Sequence, residues 1–224
     1  MSTRVLVTGI SSGIGAAIGA ALLAEGRHVI GLSRTAPPPH ANLEHVAVDI
    51  ADADAFGRAI AGIAPVDAVV HAAGILRVGT IGAQDLANGR AMWRLHVEAA
   101  TQLVERFAPD MPDGGRIVLI GSRTATGSAG RAQYAASKAA LTGMARSWAI
   151  ELAPRRVTVN VVAPGATDTP MLKDPSRASV TPKLPPMGRF VQPEEIAGLV
   201  AFLLSPAAAS LTGQTVVVCG GASL

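Results

Sequence analysis

The feature that most constrains this chain lies at its start. An apolar run, Arg4-Val5-Leu6-Val7, passes directly into Thr8-Gly9-Ile10-Ser11-Ser12-Gly13-Ile14-Gly15, which opens a long apolar helical stretch. Glycines at those places permit a tight turn and the close approach of backbone to a pyrophosphate. The helix behind them offers unpaired N–H groups and the positive end of its dipole to the same phosphates. A glycine triplet alone is a weak signal; its placement between strand and helix is the confirming context.

The rest of the chain repeats that alternation. Val5–Val7, Val29–Leu32, His45–Val48, Ala68–His71, Arg116–Ile120, Thr158–Val162 and Thr215–Val218 read as strands. Helical stretches lie between them: Ile14–Glu25, Asp52–Ile63, Gly89–Phe107, Tyr134–Leu152 and Pro193–Leu204. Several strands lack polar alternation, as expected where helices cover both faces of a sheet. The expectation is an α/β fold, Rossmann-like and doubly wound, with a seven-stranded parallel sheet and right-handed crossovers. At 224 residues one domain, 1–224, accounts for the chain. Two irregular segments stand apart: the proline-rich surface turn Ala36–His40 and the loop Asp168–Met187, a candidate lid or binding loop.

Composition removes several function classes. Apolar residues at 49% and charged residues at 16% exclude intrinsic disorder. The single cysteine, Cys219, excludes an internal disulfide and a multi-cysteine metal site, and reads as a buried inert thiol. His28, His40 and His45 show no metal-ligand spacing, so no metal is expected. The net charge of +3 comes from scattered arginines, without the basic face or interleaved aromatics of a nucleic-acid binder. The most apolar late stretch, Ile196 to Leu211, is broken by Gly198, Ser205 and Pro206 and is too short for a bilayer. A cytoplasmic location is the expectation.

The spacing Thr-Gly-x-x-x-Gly-x-Gly resembles the short-chain dehydrogenases/reductases, and further motifs follow in that family's order. Asp49-Ile50 follows the third strand, and His71-Ala72-Ala73-Gly74 follows the fourth. Ile120-Gly121-Ser122 ends the fifth, Tyr134-Ala135-Ala136-Ser137-Lys138 comes next, and Asn160 to Pro164-Gly165, then Thr167 and Thr169, follow the sixth. The resemblance covers nearly the whole chain. It implies a nicotinamide cofactor contacted by Gly9, Ser11, Ser12, Gly13, Ile14, Gly15, Ser33, Arg34, Asp49, Ile50, Ala72, Ala73, Gly74, Tyr134, Lys138, Pro164, Gly165, Thr167 and Thr169. It also implies a homodimer or homotetramer assembled through the Gly89–Phe107 and Tyr134–Leu152 helices.

Tyr134 and Lys138 stand four apart on one helix and so share a face. A free phenol titrates near 10, and a neighbouring ammonium favours its ionised form. By resemblance Tyr134 moves the hydroxyl proton, Lys138 also grips the nicotinamide ribose, and Ser122 orients the substrate. Two departures matter: the interval from Ser122 to Tyr134, twelve residues, is slightly short, and His96 stands where the family carries asparagine. His96 has two readings, a proton relay, since imidazole titrates near neutrality, or a space-filling residue. His71 also replaces an asparagine and reads as a packed polar residue.

An acid at the end of the second strand would bind the adenosine ribose and repel a 2′-phosphate. Ser33 stands there, followed by Arg34, a bidentate phosphate partner, which favours NADP(H) over NAD(H). The expected substrate wall comprises Leu76, Arg123, Thr124, Met171 and the Asp168–Met187 loop, with Arg123 read as turned to solvent. The leading function is hydride transfer between NADP(H) and a secondary alcohol or carbonyl compound. Within that class a 3-oxoacyl thioester reductase and a cyclic-diol dehydrogenase remain open. The rival is a non-catalytic nucleotide-binding regulatory or structural protein, motivated by His96.

Overall fold

The computed structural model describes residues 3–175, 180 and 182–224. Seven parallel strands form one sheet: β1 (Arg4–Thr8), β2 (His28–Ser33), β3 (Leu43–Ala47), β4 (Ala68–His71), β5 (Arg116–Ile120), β6 (Thr158–Pro164) and β7 (Thr215–Val218). Their spatial order is β3-β2-β1-β4-β5-β6-β7. The chain therefore winds outward from β1 in one direction, then restarts at β4 in the other. The crevice between β1 and β4 is the topological switch point, where open α/β sheets bind ligands beyond the carboxyl ends of the strands.

Two cores follow from the two-residue strand period. Val5 and Val7 of β1, with Val29, Val70, Val118 and Val162, pack under α1 (Gly13–Ala24) and a later helix, Pro193–Leu203. Leu6 points to the opposite face, with Ile30, Val69, Ile117 and Val161, against Phe56, Leu103, Phe107 and Leu141. Those four belong to α2 (Ala53–Ala61), α4 (Ala99–Phe107) and α5 (Ala132–Leu152). The central strands β4, β5 and β6 are buried along their whole length, which explains their lack of polar alternation. The doubly wound seven-stranded reading holds.

Two elements differ from the sequence reading. β3 begins two residues and ends one residue earlier than its apolar pattern suggested, because its register is set by pairing, Val29 with Leu43 through Ser33 with Ala47. The single helix expected over Gly89–Phe107 is instead α3 (Leu86–Trp93), a widened π turn at Arg94–Glu98, and α4. Asp85 caps α3 by accepting the Ala87 N–H at 2.7 Å, which moves its start upstream. In the π turn Leu95, His96 and Val97 are all buried, an arrangement that a regular α-helical stripe does not give. Completing the set, α6 is Pro193–Leu203, begun by a capping box between Gln192 and Glu195. No described helix is long and apolar enough to cross a membrane.

Candidate active site

Six strands end around one cavity of about 960 Å³. Its cofactor end is built from the turn after β1. Gly9 has φ +73°, a left-handed conformation, and a Cβ there would lie 2.9 Å from Ala73 backbone. The first and fourth strand ends thus pack backbone against backbone. Gly15 is tighter still, since a Cβ would overlap the Gly9 carbonyl oxygen. Helix α1 has no side-chain cap from Ser12 and no acid in its first turn. Its N–H groups are left for an external anion, so the glycine cradle fits the diphosphate of a dinucleotide.

Every residue that the sequence nominated for the cofactor lines this cavity. Gly9, Ser11, Ser12, Gly13, Ile14 and Gly15 form the cradle, with Ser33 and Arg34 beyond it and Asp49 and Ile50 beside them. Ala72, Ala73 and Gly74 form the floor, and Pro164, Gly165, Thr167 and Thr169 the far wall. Ser33 is buried; its hydroxyl donates to the Thr35 carbonyl at 2.8 Å and meets His45 Nε2 at 3.1 Å. With Ser33 committed to the turn, exposed Arg34 is the cationic group at that end, with Asp49 beside it.

At the other end α5 presents a buried stripe, Tyr134, Ala135, Ser137, Lys138, Leu141, Ala145 and Ala149. The small alanines let the helix lie close to β6. Tyr134 and Lys138 therefore face the cavity together, with Ser122 from the end of β5. The Ser122 hydroxyl lies 2.9 Å from that of Thr124 and accepts the Thr124 N–H at 3.2 Å, which starts the short 3₁₀ turn Arg123–Thr126. Lys138 Nζ donates to the Ile120 carbonyl at 2.7 Å, and burial pulls its pKa down to about 7.

Two histidines fasten this end to the sheet. Thr8 Oγ1 accepts N–H bonds from Ala72 at 3.1 Å and Ala73 at 3.2 Å, and so donates its own hydrogen to His71 Nδ1 at 2.9 Å. His71 Nε2–H then donates to the Leu95 carbonyl at 3.0 Å. This is the packed polar role expected of it. His96 accepts the Ile75 N–H on Nε2 at 3.1 Å. Its Nδ1 therefore carries the proton and donates to Ser137 Oγ at 2.9 Å, which donates in turn to the Tyr134 carbonyl at 2.8 Å. The Tyr134 ring stands edge-on to His96 at 5.6 Å. Burial first, then the Lys138 charge, hold both imidazoles neutral: His71 falls to about 3 and His96 well below its ordinary value.

That burial predicts acid lability. Below pH 6.5 an unfolded chain protonates His71, whereas the folded protein refuses the proton down to about pH 3. Stability therefore falls with falling pH across that window, by about 1.4 kcal/mol per unit for one site. Urea unfolding of wild type and His71→Asn at several pH values should give the variant the shallower acid slope. Equal slopes would mean that His71 is not buried as a neutral ring.

Of the residues expected to meet substrate, Leu76, Thr124 and Met171 line the cavity, and so do Leu172, Val180 and Leu184 from the Asp168–Met187 loop. Residues 176–179 and 181 of that loop lie outside the described residues. Arg123, read as turned to solvent, is half-buried and lines the cavity. Arg77 and Arg131 line it too and were missed, since neither sits in a motif. Arg131 lies three residues before Tyr134, the one signal that offered it. Cys219 is buried as expected. Burial raises its pKa, yet hydrogen bonds from Ser223, Gly221 and Ala222 outweigh that and hold the thiol below its ordinary range.

Known proteins resemble this chain along nearly its whole length. A family model described as enoyl-(acyl carrier protein) reductase matches residues 9–223. L-xylulose reductase of Bos taurus is 35% identical, over 97% of this chain and 95% of that protein. The 3-oxoacyl-(acyl-carrier-protein) reductase FabG of Escherichia coli is 36% identical, over 96% and 95%. Among solved structures, a blue fluorescent protein from a metagenomic library in complex with NADPH superposes with a TM-score of 0.88. It is 32% identical, over 99% of this chain and 98% of that one. A short chain dehydrogenase family protein from Francisella tularensis superposes at 0.92 with 27% identity, over 100% and 99%.

Proposed function

The chain belongs to the short-chain dehydrogenase/reductase family and is an NAD(P)-dependent oxidoreductase, and from that premise we propose that it interconverts a secondary alcohol and a carbonyl compound with NADP(H). One observation carries the reading: Ser122, Tyr134 and Lys138 converge on the same cavity as the glycine cradle. The non-catalytic alternative has no support among relatives named as reductases.

When bound, the nicotinamide ring supplies or accepts the hydride. The protein's own groups do the rest. Tyr134 donates a proton to the carbonyl oxygen in reduction, and takes it back in oxidation. The Lys138 ammonium favours the phenolate that remains, and Ser122 donates a hydrogen bond to the oxygen on which charge develops. His96, with both nitrogens engaged, serves as a positioning residue that holds the Tyr134 turn against Ile75, in place of the relay role suggested by its sequence position. The test is a panel of ketones and secondary alcohols, followed by NADPH absorbance. Absence of turnover across it would overturn the proposal.

NADP(H) preference rests on Arg34 and on the lack of an acid at Ser33. Arg34→Asp should reverse the ratio of kcat/KM for NADPH and NADH, by about a hundredfold if the arginine makes a bidentate phosphate contact. An unchanged ratio would remove the argument. Exposed apolar side chains support a homodimer or homotetramer: Trp93 on α3, Ile150 on α5, Phe202 on α6 and Val217 on the edge strand β7. A cytoplasmic location completes the proposal.

A further inference from the structure

A serine hydroxyl has one hydrogen and two acceptor lone pairs, so its partners decide where the hydrogen points. In the role proposed above, Ser122 keeps that hydrogen for the reacting oxygen. Ser122 follows β5, is buried and lines the cavity. Two contacts reach its side-chain oxygen, both from one residue. The Thr124 N–H donates to it at 3.2 Å, and the Thr124 hydroxyl lies 2.9 Å away.

The first contact is an ordinary cap. Ser122 has extended backbone, with φ −163° and ψ 144°, and stands just before the 3₁₀ turn Arg123–Thr126. Any residue at 124 other than proline would supply that N–H. The second contact is different, because it needs a side-chain oxygen at this one position. Thr124 is buried and lines the cavity with Ser122. Its branched Cβ stiffens χ1, so holding the hydroxyl against Ser122 costs little entropy.

The donor order follows by elimination. A Ser122 that gave its hydrogen to Thr124 would have none for a reactant. When a carbonyl oxygen takes that hydrogen, the 2.9 Å contact persists as a hydrogen bond only with Thr124 as donor. Both Ser122 lone pairs are then filled, and its hydrogen has one direction left, outward to the cavity. A hydroxyl that accepts is also the stronger donor, since hydrogen bonds in a chain polarise one another.

Resting on the oxidoreductase reading above, we infer that Thr124 is a positioning residue whose hydroxyl donates to Ser122 and so aims the Ser122 hydrogen at the reacting oxygen. It acts on the reactant through Ser122.

The test is a double-mutant cycle on NADPH-loaded protein, with the ketone that turns over fastest in the panel above. Thr124→Val keeps the branched shape and the N–H but removes the hydroxyl. It should lower kcat about tenfold, leave KM for the ketone within about twofold, and keep Tm near that of wild type. Thr124→Ser, which restores a hydroxyl, should recover most of the loss. Ser122→Ala should cost about a hundredfold or more in kcat. Adding Thr124→Val to it should change kcat by less than about twofold, since Thr124 then has nothing to aim. Losses that multiply would show that Thr124 meets the reactant itself and would overturn the inference. So would wild-type kcat in Thr124→Val, or equal losses in the valine and serine variants. Should the valine variant lose its fold, Thr124→Ala takes its place in the cycle with the same expectations. Absence of wild-type turnover would overturn the oxidoreductase reading and this inference together, whereas turnover with uncoupled losses would overturn the inference alone.

Discussion

Tyr134→Phe is expected to lower kcat/KM by about a thousandfold, within the range for losing a positioned acid–base group, while NADPH still binds. The substitution removes one oxygen from a ring whose place is set by other contacts. That ring is buried with Leu76 and Met92 and stands edge-on to His96, so phenylalanine keeps the packing. In the proposed mechanism the lost oxygen is the atom that exchanges a proton with the substrate. Lys138 does not substitute for it, since its ammonium is turned to the Ile120 carbonyl. Single-turnover measurements with saturating NADPH would locate the loss in the chemical step. Wild-type turnover in the variant would refute proton transfer by Tyr134.

Gly15→Ala should abolish measurable NADPH binding and lower Tm by several degrees. The added methyl meets the Gly9 carbonyl, and a backbone atom in a fixed turn has no rotamer to escape into. Helix α1 would have to lift from the strand end, opening the packing of Ile18 and Leu22 against the sheet. Overpacking of this kind costs about 1–3 kcal/mol and at times more, which for a chain of this length is roughly 2–4 °C per kcal/mol. Gly57→Ala, on α2, is the control: a Cβ there meets nothing within 4 Å, so helix propensity alone acts and stability should hold or rise slightly. Full NADPH affinity in Gly15→Ala would show that the cradle is not where the cofactor sits.

The sheet was legible because its signal is local. Val5-Leu6-Val7 and Ala68-Val69-Val70 are apolar at every position, short β-branched runs of the kind that a strand covered on both sides uses. The residues around the cavity were legible because each follows a strand end or a helix start at a fixed offset, as Ser122 follows β5 and Tyr134 stands in the first turn of α5. What stayed hidden depends on partners distant in sequence. The π turn at Arg94–Glu98 is accompanied by bonds from His71 to Leu95 and from His96 to Ile75 and Ser137, none of which periodicity reports. Whether His96 exchanges protons depends on what its two nitrogens touch, so its residue type could not decide the matter. Arg77 and Arg131 reach the cavity through the bridge between Gly79 and Arg131, a contact across some fifty residues of chain.

The winding of the sheet also divides the cavity's labour. Segments after β1, β2 and β3 build the dinucleotide end, whereas those after β5 and β6 build most of the reactant end. A graft that exchanges the stretch beyond Thr169 for one of different shape would leave in place α1, its cradle and the Pro164 to Thr169 wall that stands against Gly13. Selectivity and coenzyme choice are therefore separately tunable traits, inherited by different stretches of chain and open to revision one at a time.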